Sequence, residues 1–279
     1  VGYNRSKEKT ERLVAEGGMS AYSLEELVDR LEAPRVVWLM LPAGAATIQA
    51  AHRLEGLLDP GDILVDGSNS FYKDAIRRAW DYSKKGLNSL DVGVSGGIWG
   101  LENGYCLMAG GSRSVYNSLI PVFDTLSHPD GHIYCGGPGA GHFVKMVHNG
   151  IEYGMMQAYA EGFAMLQDSR FADELNFSTL AGVWNRGSVI QSWLLEMAQA
   201  AFAKSGRLDE VDSWVEDSGE GRWTVQQAVE TETPIPVLAL SLMERFSSRR
   251  PDDFRNKVLA ALRREFGGHA VRSGGKKDA

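Results

Sequence analysis

Nine consecutive residues, Lys145-Met-Val-His-Asn-Gly-Ile-Glu-Tyr153, hold an amine, an imidazole, an amide and a carboxylate. At about 100° per helical residue, Lys145, His148, Asn149 and Glu152 fall within an arc of roughly 100°. On a peripheral helix such a polar stripe is an ordinary solvated face. Here Met146, Val147, Ile151 and Met155 are predicted to pack on the other sides, which marks a largely buried helix. Charged groups on a buried helix must be paired or functional. Desolvation disfavours an ammonium and makes a buried lysine a candidate base, although a nearby carboxylate opposes that shift. Two groups of different basicity facing one pocket suit a reaction with two separate proton transfers.

Three weaker features accompany the stripe. Ser95-Gly96-Gly97 follows a strand-like run, where a hydroxyl and bare backbone N–H groups could approach an anion; a tight turn is the plain alternative. Asn69, in Asp66-Gly-Ser-Asn-Ser70, sits at another strand end, where Asn is most often a turn residue or cap. Arg222, Arg245 and the Arg263-Arg264 pair before Glu265-Phe-Gly-Gly-His269 carry guanidinium forks suited to phosphate; singly, each reads as a surface residue.

These groups need a scaffold. The first half alternates strand and helix signals, with apolar runs at 35–41, 62–66, 90–94, 105–109 and 132–135. Helical segments are predicted at about 7–16, 24–32, 45–57, 71–86 and 112–126. That alternation predicts an α/β Rossmann-like domain, a parallel sheet covered on both faces. Ligands on such sheets bind beyond the strands' carboxyl ends, which makes the Leu41-Pro42-Ala43 turn and Asn69 candidate cofactor contacts. After Gly136-Gly-Pro-Gly-Ala-Gly141 the strand signal stops. One long helix is predicted from His142 to about Asp168, then helices at about 178–204, 208–217, 224–231, 236–247 and 251–265. The expected division is 1–138 for the sheet domain and 139–279 for an all-helical domain, with a disordered tail from Arg272.

The 279 residues carry a formal net charge of -7, which argues against general nucleic-acid binding. No apolar run approaches the roughly 18 residues of a membrane span. Cys106 and Cys135 lack metal-type spacing and read as free buried thiols, which fits a reducing cytoplasm. No HExxH or similar pattern is present, so no metal site is expected.

DVGVSGG, GPGAGHFVKMVHNGIEYGMMQ, GEGRWT and RREFGGH, in this order, resemble the 6-phosphogluconate dehydrogenase family over nearly the whole chain. The short helical half is similar to the compact bacterial-type branch. The resemblance implies oxidation of 6-phosphogluconate with a nicotinamide cofactor, loss of carbon dioxide and release of ribulose 5-phosphate. It implies Lys145 as the base and Glu152 as the acid that protonates the enediol carbon. It also implies that His148 and Asn149 hold hydroxyls, Asn69 positions substrate and nicotinamide, and Ser95, Gly96 and Gly97 hold the carboxylate. Tyr153, Arg222 and Arg245 would bind the phosphate, with Arg222 standing where many members carry lysine. Arg263 and His269 match residues supplied from the other subunit of a homodimer.

The opening VGYNRS resembles the end of a dinucleotide-binding second strand. A carboxylate at that tip accepts the ribose hydroxyls of NAD, whereas an arginine accommodates the extra phosphate of NADP. Asn4-Arg5-Ser6 therefore implies NADP, with NAD also open. The GxGxxG turn that should precede it is absent, so a missing first strand, a split sheet, weak dinucleotide binding and aggregation are expected of this chain. Two other functions stand beside this one. A 3-hydroxyisobutyrate-type dehydrogenase shares the catalytic lysine and following asparagine but not the His148–Glu152 cluster or the arginines. A non-catalytic binding protein would fit the absent phosphate turn.

Overall fold

The computed structural model describes residues 1–267, and the chain divides into two compact units, Val1–Gly150 and the part from Ile151 onward. In the first unit strands and helices alternate as β1 (Gly2–Tyr3), α1 (Lys7–Ala15), β2 (Ser20–Ala21), α2 (Leu24–Asp29), β3 (Val36–Leu39), α3 (Ala45–Glu55), β4 (Ile63–Asp66) and α4 (Tyr72–Lys84). They continue as β5 (Asn88–Ser95), α5 (Gly100–Asn103), β6 (Tyr105–Gly111), α6 (Arg113–Ser118), α7 (Ile120–Leu126) and β7 (Ser127–Gly136). The strands form two sheets, a parallel pair β1-β2 and a five-stranded sheet in the order β3-β4-β5-β6-β7.

Side-chain alternation assigns the two faces of the larger sheet. Val37, Leu39 and Leu64 pack with Ala51, Leu54 and Tyr82 from α3 and α4. Their neighbours Ile63 and Val65 pack on the opposite face with Val115, Tyr116 and Phe123 from α6 and α7. All four residues of β4 are buried, as a strand covered on both faces requires. Each fully buried aliphatic side chain here contributes about 1.5–3 kcal/mol.

The sheet is not wholly parallel. β6 runs antiparallel to β5, with Val92 opposite Ala109 and Ser95 opposite Cys106. Its link to β5 is too short for a parallel crossover, which needs a dozen or more residues. The expected 112–126 helix is two, breaking at Leu119 just before Pro121 in the first turn of α7. Cys106 is exposed and Cys135 half-buried, so neither is the buried thiol expected; both are free.

The long helix α8 (Ala140–Gln167) begins in the first unit and continues into the second. The second unit adds α9 (Phe177–Trp184), α10 (Trp193–Lys204), α11 (Glu220–Glu230), α12 (Pro236–Ser247) and α13 (Phe254–Gly267). No strand occurs among its described residues. Its core gathers Phe163, Phe177, Ala181 and Leu195 with Trp184 and Phe202. The single helix expected over 178–204 is interrupted between Trp184 and Trp193, where Asn185 Oδ1 accepts from the Ser192 N–H at 2.8 Å and Ser192 Oγ caps α10. No helix forms over 208–217, which is irregular and tied by side chains to the end of α12 and the two residues after it.

Candidate active site

The start of α8 is fastened to the sheet by a buried carboxylate. Asp91, on β5 and 5% exposed, accepts the Gly139 N–H at 2.7 Å and the His142 N–H at 2.9 Å. A helix N-terminus presents unpaired donors and partial positive charge, and Asp91 answers both. Two glycines permit the close approach. A Cβ on Gly93 would overlap Lys145 Cβ and lie 3.0 Å from Lys145 Cγ and from the Gly141 carbonyl. A Cβ on Gly141 would run into the Asp91 and Met108 carbonyls. His142, buried one turn before Lys145, donates from Nε2 to the Asp66 carbonyl at 3.1 Å, while its Nδ1 makes no hydrogen bond. The helix is thus locked to the ends of both β4 and β5.

That lock delivers part of the polar stripe to one place. Lys145 and Asn149 are buried and His148 half-buried. Asn149 Oδ1 lies 3.0 Å from His148 Nδ1, which therefore carries the hydrogen. His148 Nε2 faces Ser95 Oγ at 3.4 Å. The hydroxyl of the Ser-Gly-Gly turn and the α8 stripe are therefore neighbours. Gly96 (φ 128°) and Gly97 (φ 54°) take backbone angles that side-chain-bearing residues avoid, leaving their N–H groups approachable. Glu152, two turns beyond Lys145 on the same stripe, is half-buried. Ile151 and Met155, expected to pack, are 51% and 39% exposed, so the helix is less enclosed than its apolar content suggested.

Asn69 is exposed between buried Ser68 and Ser70 at the end of β4. Thr47 Oγ1 donates to the Pro42 carbonyl at 2.8 Å and lies 3.1 Å from Ser68 Oγ. Those contacts join the Asn69 turn to the Leu41-Pro42-Ala43 turn, whose Pro42 and Ala43 are exposed. Asn4 Oδ1 accepts the Ser6 N–H at 2.9 Å, which shapes the turn after β1. Arg5 stands exposed on that turn, and among the described residues its guanidinium makes no ion pair. A free guanidinium beside a hydroxyl, at a strand's carboxyl end, fits a phosphorylated ribose.

In the second unit Tyr153 is buried, with the Arg245 guanidinium 3.5 Å from its ring centroid. Burial raises the Tyr153 phenol above its ordinary range, so it stays a donor. Arg222 is half-exposed and engaged: its Nε and Nη2 donate to Asp217 at 2.7 and 3.0 Å. Arg263 is exposed on α13, and His269 lies outside the described residues. Among the described residues no three His, Cys, Asp or Glu side chains gather as metal ligands would, and no helix is long and apolar enough to cross a membrane.

Sequence reasoning missed Asp91, His142 and Asp217. Asp91 and His142 stood inside the quoted segments, and a carboxylate within an apolar strand run was a usable signal. Asp217 sat in a stretch misread as helix.

Strand-end turns on a mostly parallel sheet, a buried lysine on the following helix and a helical second unit define a nicotinamide-dinucleotide oxidoreductase. Residues 1–137 match the family model for the NAD binding domain of 6-phosphogluconate dehydrogenase, and residues 141–276 match that for the C-terminal domain of 6-phosphogluconate dehydrogenase. The chain belongs to the 6-phosphogluconate dehydrogenase family. It is 44% identical over 273 residues to an NAD(+)-dependent, decarboxylating 6-phosphogluconate dehydrogenase of Haloferax volcanii, covering 97% of this chain and 90% of that one. It is similar to the Plasmodium falciparum 6-phosphogluconate dehydrogenase, solved apo and with NADP+ or 6-phosphogluconate (TM-score 0.79, 28% identity, 99% of this chain, 61% of that one). A 3-hydroxyisobutyrate dehydrogenase of Salmonella typhimurium shares the fold at 21% identity, with a TM-score of 0.74 over 90% of this chain and 86% of that one.

Proposed function

We propose that the protein oxidises and decarboxylates 6-phosphogluconate to ribulose 5-phosphate and carbon dioxide, with reduction of a nicotinamide dinucleotide. The observation that carries this reading is the buried Lys145–Asn149 stripe, fixed by Asp91 and facing Ser95, within a chain that matches both family domains. The bound nicotinamide would supply the hydride acceptor. Lys145 takes the proton of the substrate's 3-hydroxyl as hydride leaves C3. The resulting 3-keto acid loses its carboxylate as carbon dioxide, and Lys145 returns the proton to the developing enolate oxygen. Glu152 then protonates the carbon that carried the carboxylate.

Ser95 and the Gly96-Gly97 backbone hold the carboxylate, while His148 and Asn149 hold substrate hydroxyls. Asn69 positions substrate and nicotinamide. Tyr153, Arg222 and Arg245 take the phosphate. Arg263 and His269 complete the site of a second copy in a homodimer, and the protein works in the cytoplasm. Leu41, Pro42, Ala43 and the Asn4-Arg5-Ser6 turn hold the dinucleotide, with Arg5 favouring NADP over NAD. Turnover tests the reading: dinucleotide reduction with 6-phosphogluconate, and little with 3-hydroxyisobutyrate. Turnover of 3-hydroxyisobutyrate without any of 6-phosphogluconate would overturn it.

A further inference from the structure

Residues 214–218, between α10 and α11, have no regular structure, yet Arg245 of α12 and the two residues that follow that helix, Ser248 and Arg249, hold them at several points. The Val215 N–H donates to Ser248 Oγ at 3.0 Å. Arg245 Nη1 donates to the Glu216 carbonyl at 2.7 Å, and Arg249 Nε donates to the Val215 carbonyl at 2.8 Å. At the centre lies the Asp217 carboxylate, only 3% exposed. Its Oδ1 takes Arg222 Nε at 2.7 Å, and its Oδ2 takes Arg222 Nη2 and Arg249 Nη2, each at 3.0 Å. The paired Arg222 guanidinium holds the Asp217 carboxyl below the ordinary carboxylate range, and Asp217 raises Arg222 in return.

A buried anion among arginines proposed to receive a phosphate is, by Coulomb's law alone, a disadvantage. Its geometry offers a different role. The fork to Asp217 fixes the Arg222 guanidinium against the Phe246 ring at 4.4 Å, and among the described residues Nη1 of this half-exposed group makes no hydrogen bond. The same carboxylate draws in Arg249, which otherwise faces Trp214 and Phe246. A guanidinium already fixed loses less rotamer freedom when it meets an anion. Tyr153 joins the cluster through Arg245, whose guanidinium lies 3.5 Å from the phenol ring centroid. Glu220 itself is fully buried and accepts from Ser218 Oγ at 2.6 Å, so it is held within the helix start.

We propose that Asp217 is a positioning residue for recognition of the substrate's phosphate, fixing Arg222 and recruiting Arg249 as a further cation of that end of the site. This rests on the 6-phosphogluconate reading above. The test compares wild type, Asp217→Asn, Arg249→Gln and Arg249→Lys in KM for 6-phosphogluconate, KM for the dinucleotide, kcat and Tm. In Asp217→Asn, KM for 6-phosphogluconate is expected to rise at least fivefold, more than kcat falls, with KM for the dinucleotide within twofold. In Arg249→Gln that KM is expected to rise at least threefold, with partial recovery in Arg249→Lys. A merely structural role would lower Tm and kcat without singling out the phosphorylated substrate. An unchanged or lowered KM in Asp217→Asn, as simple charge removal demands, overturns the proposal. Should Asp217→Asn not fold, an unchanged KM in Arg249→Gln does so. If wild type fails to turn over 6-phosphogluconate, the functional reading fails instead. Calorimetric titration with inorganic phosphate then decides the proposal separately: weaker binding by Asp217→Asn than by wild type supports it, and equal binding refutes it.

Discussion

Gly93→Ala probes how closely β5 must approach the lysine helix. The new Cβ would overlap Lys145 Cβ and stand 3.0 Å from both Lys145 Cγ and the Gly141 carbonyl. Ordinary carbon contacts lie at about 3.5–4.0 Å, so α8 must retreat by about 0.5–1 Å, and further at the Cβ itself. Neither neighbour is a flexible tip: one is the root of the Lys145 side chain, the other backbone. A displacement of about 1 Å in a reacting group can cost about 100-fold in rate. Overpacking costs about 1–3 kcal/mol in stability, too little to unfold a domain of ordinary stability. The assay is steady-state kcat with 6-phosphogluconate at saturating dinucleotide, with circular dichroism as the check on folding. The control is Gly162→Ala, farther along the same helix, where an added Cβ meets nothing within 4 Å. That change should leave kcat intact and add up to about 1 kcal/mol of helix stability. A folded Gly93→Ala protein with kcat within about threefold of wild type would refute the reasoning.

Asp91→Asn should cost about 2–4 kcal/mol in denaturant unfolding, because one carboxylate accepts two buried helix-terminal N–H groups and an amide cannot replace both; a loss under about 1 kcal/mol would contradict that role. Asp62 supplies a pH dependence. Burial pushes its carboxyl up, but the N–H groups of Arg35 and Asp59 and the Arg35 guanidinium together hold it below the ordinary range. Its contribution is therefore present above the unfolded value of about 3.9 and lost as pH falls through the lower folded one. The stability gap between wild type and Asp62→Asn should narrow from pH 7 to pH 3, and a gap that widens in acid would reverse the assigned sign. Arg5→Ala should lower kcat/KM for NADP by about 10-fold or more, the worth of a charge-assisted phosphate contact, with NAD within about threefold; equal losses with both cofactors would remove Arg5 from cofactor choice.

The sequence was most readable where period and composition agreed. The runs over 62–66 and 90–94 became β4 and the middle of β5, because strands buried on both faces are largely apolar, with Asp66 and Asp91 as the buried exceptions. The stripe of α8 was legible from spacing alone. What stayed hidden depends on contacts between distant segments. The β6 direction follows from a connection too short to cross over, a signal that was present but unused. The stretch around Asp217 has helix-forming composition, but its backbone donors and acceptors are taken by Ser248, Arg245 and Arg249, which no local pattern announces. Ser192 capped α10 in the open, yet 178–204 read as one helix, since the break is fixed by the Asn185 side chain. The exposure of Cys106, at the carboxyl-end side of the β5–β6 pair, likewise follows from that antiparallel turn-back.

The most direct test of the central claim is 6-phosphogluconate-dependent reduction of NADP or NAD, measured with carbon dioxide release in wild type, Lys145→Met and Glu152→Ala. Wild type should yield one reduced dinucleotide per carbon dioxide. Lys145→Met should abolish both, and Glu152→Ala should sharply slow overall turnover. Full activity in either folded variant, or reduction without carbon dioxide in wild type, would contradict the account.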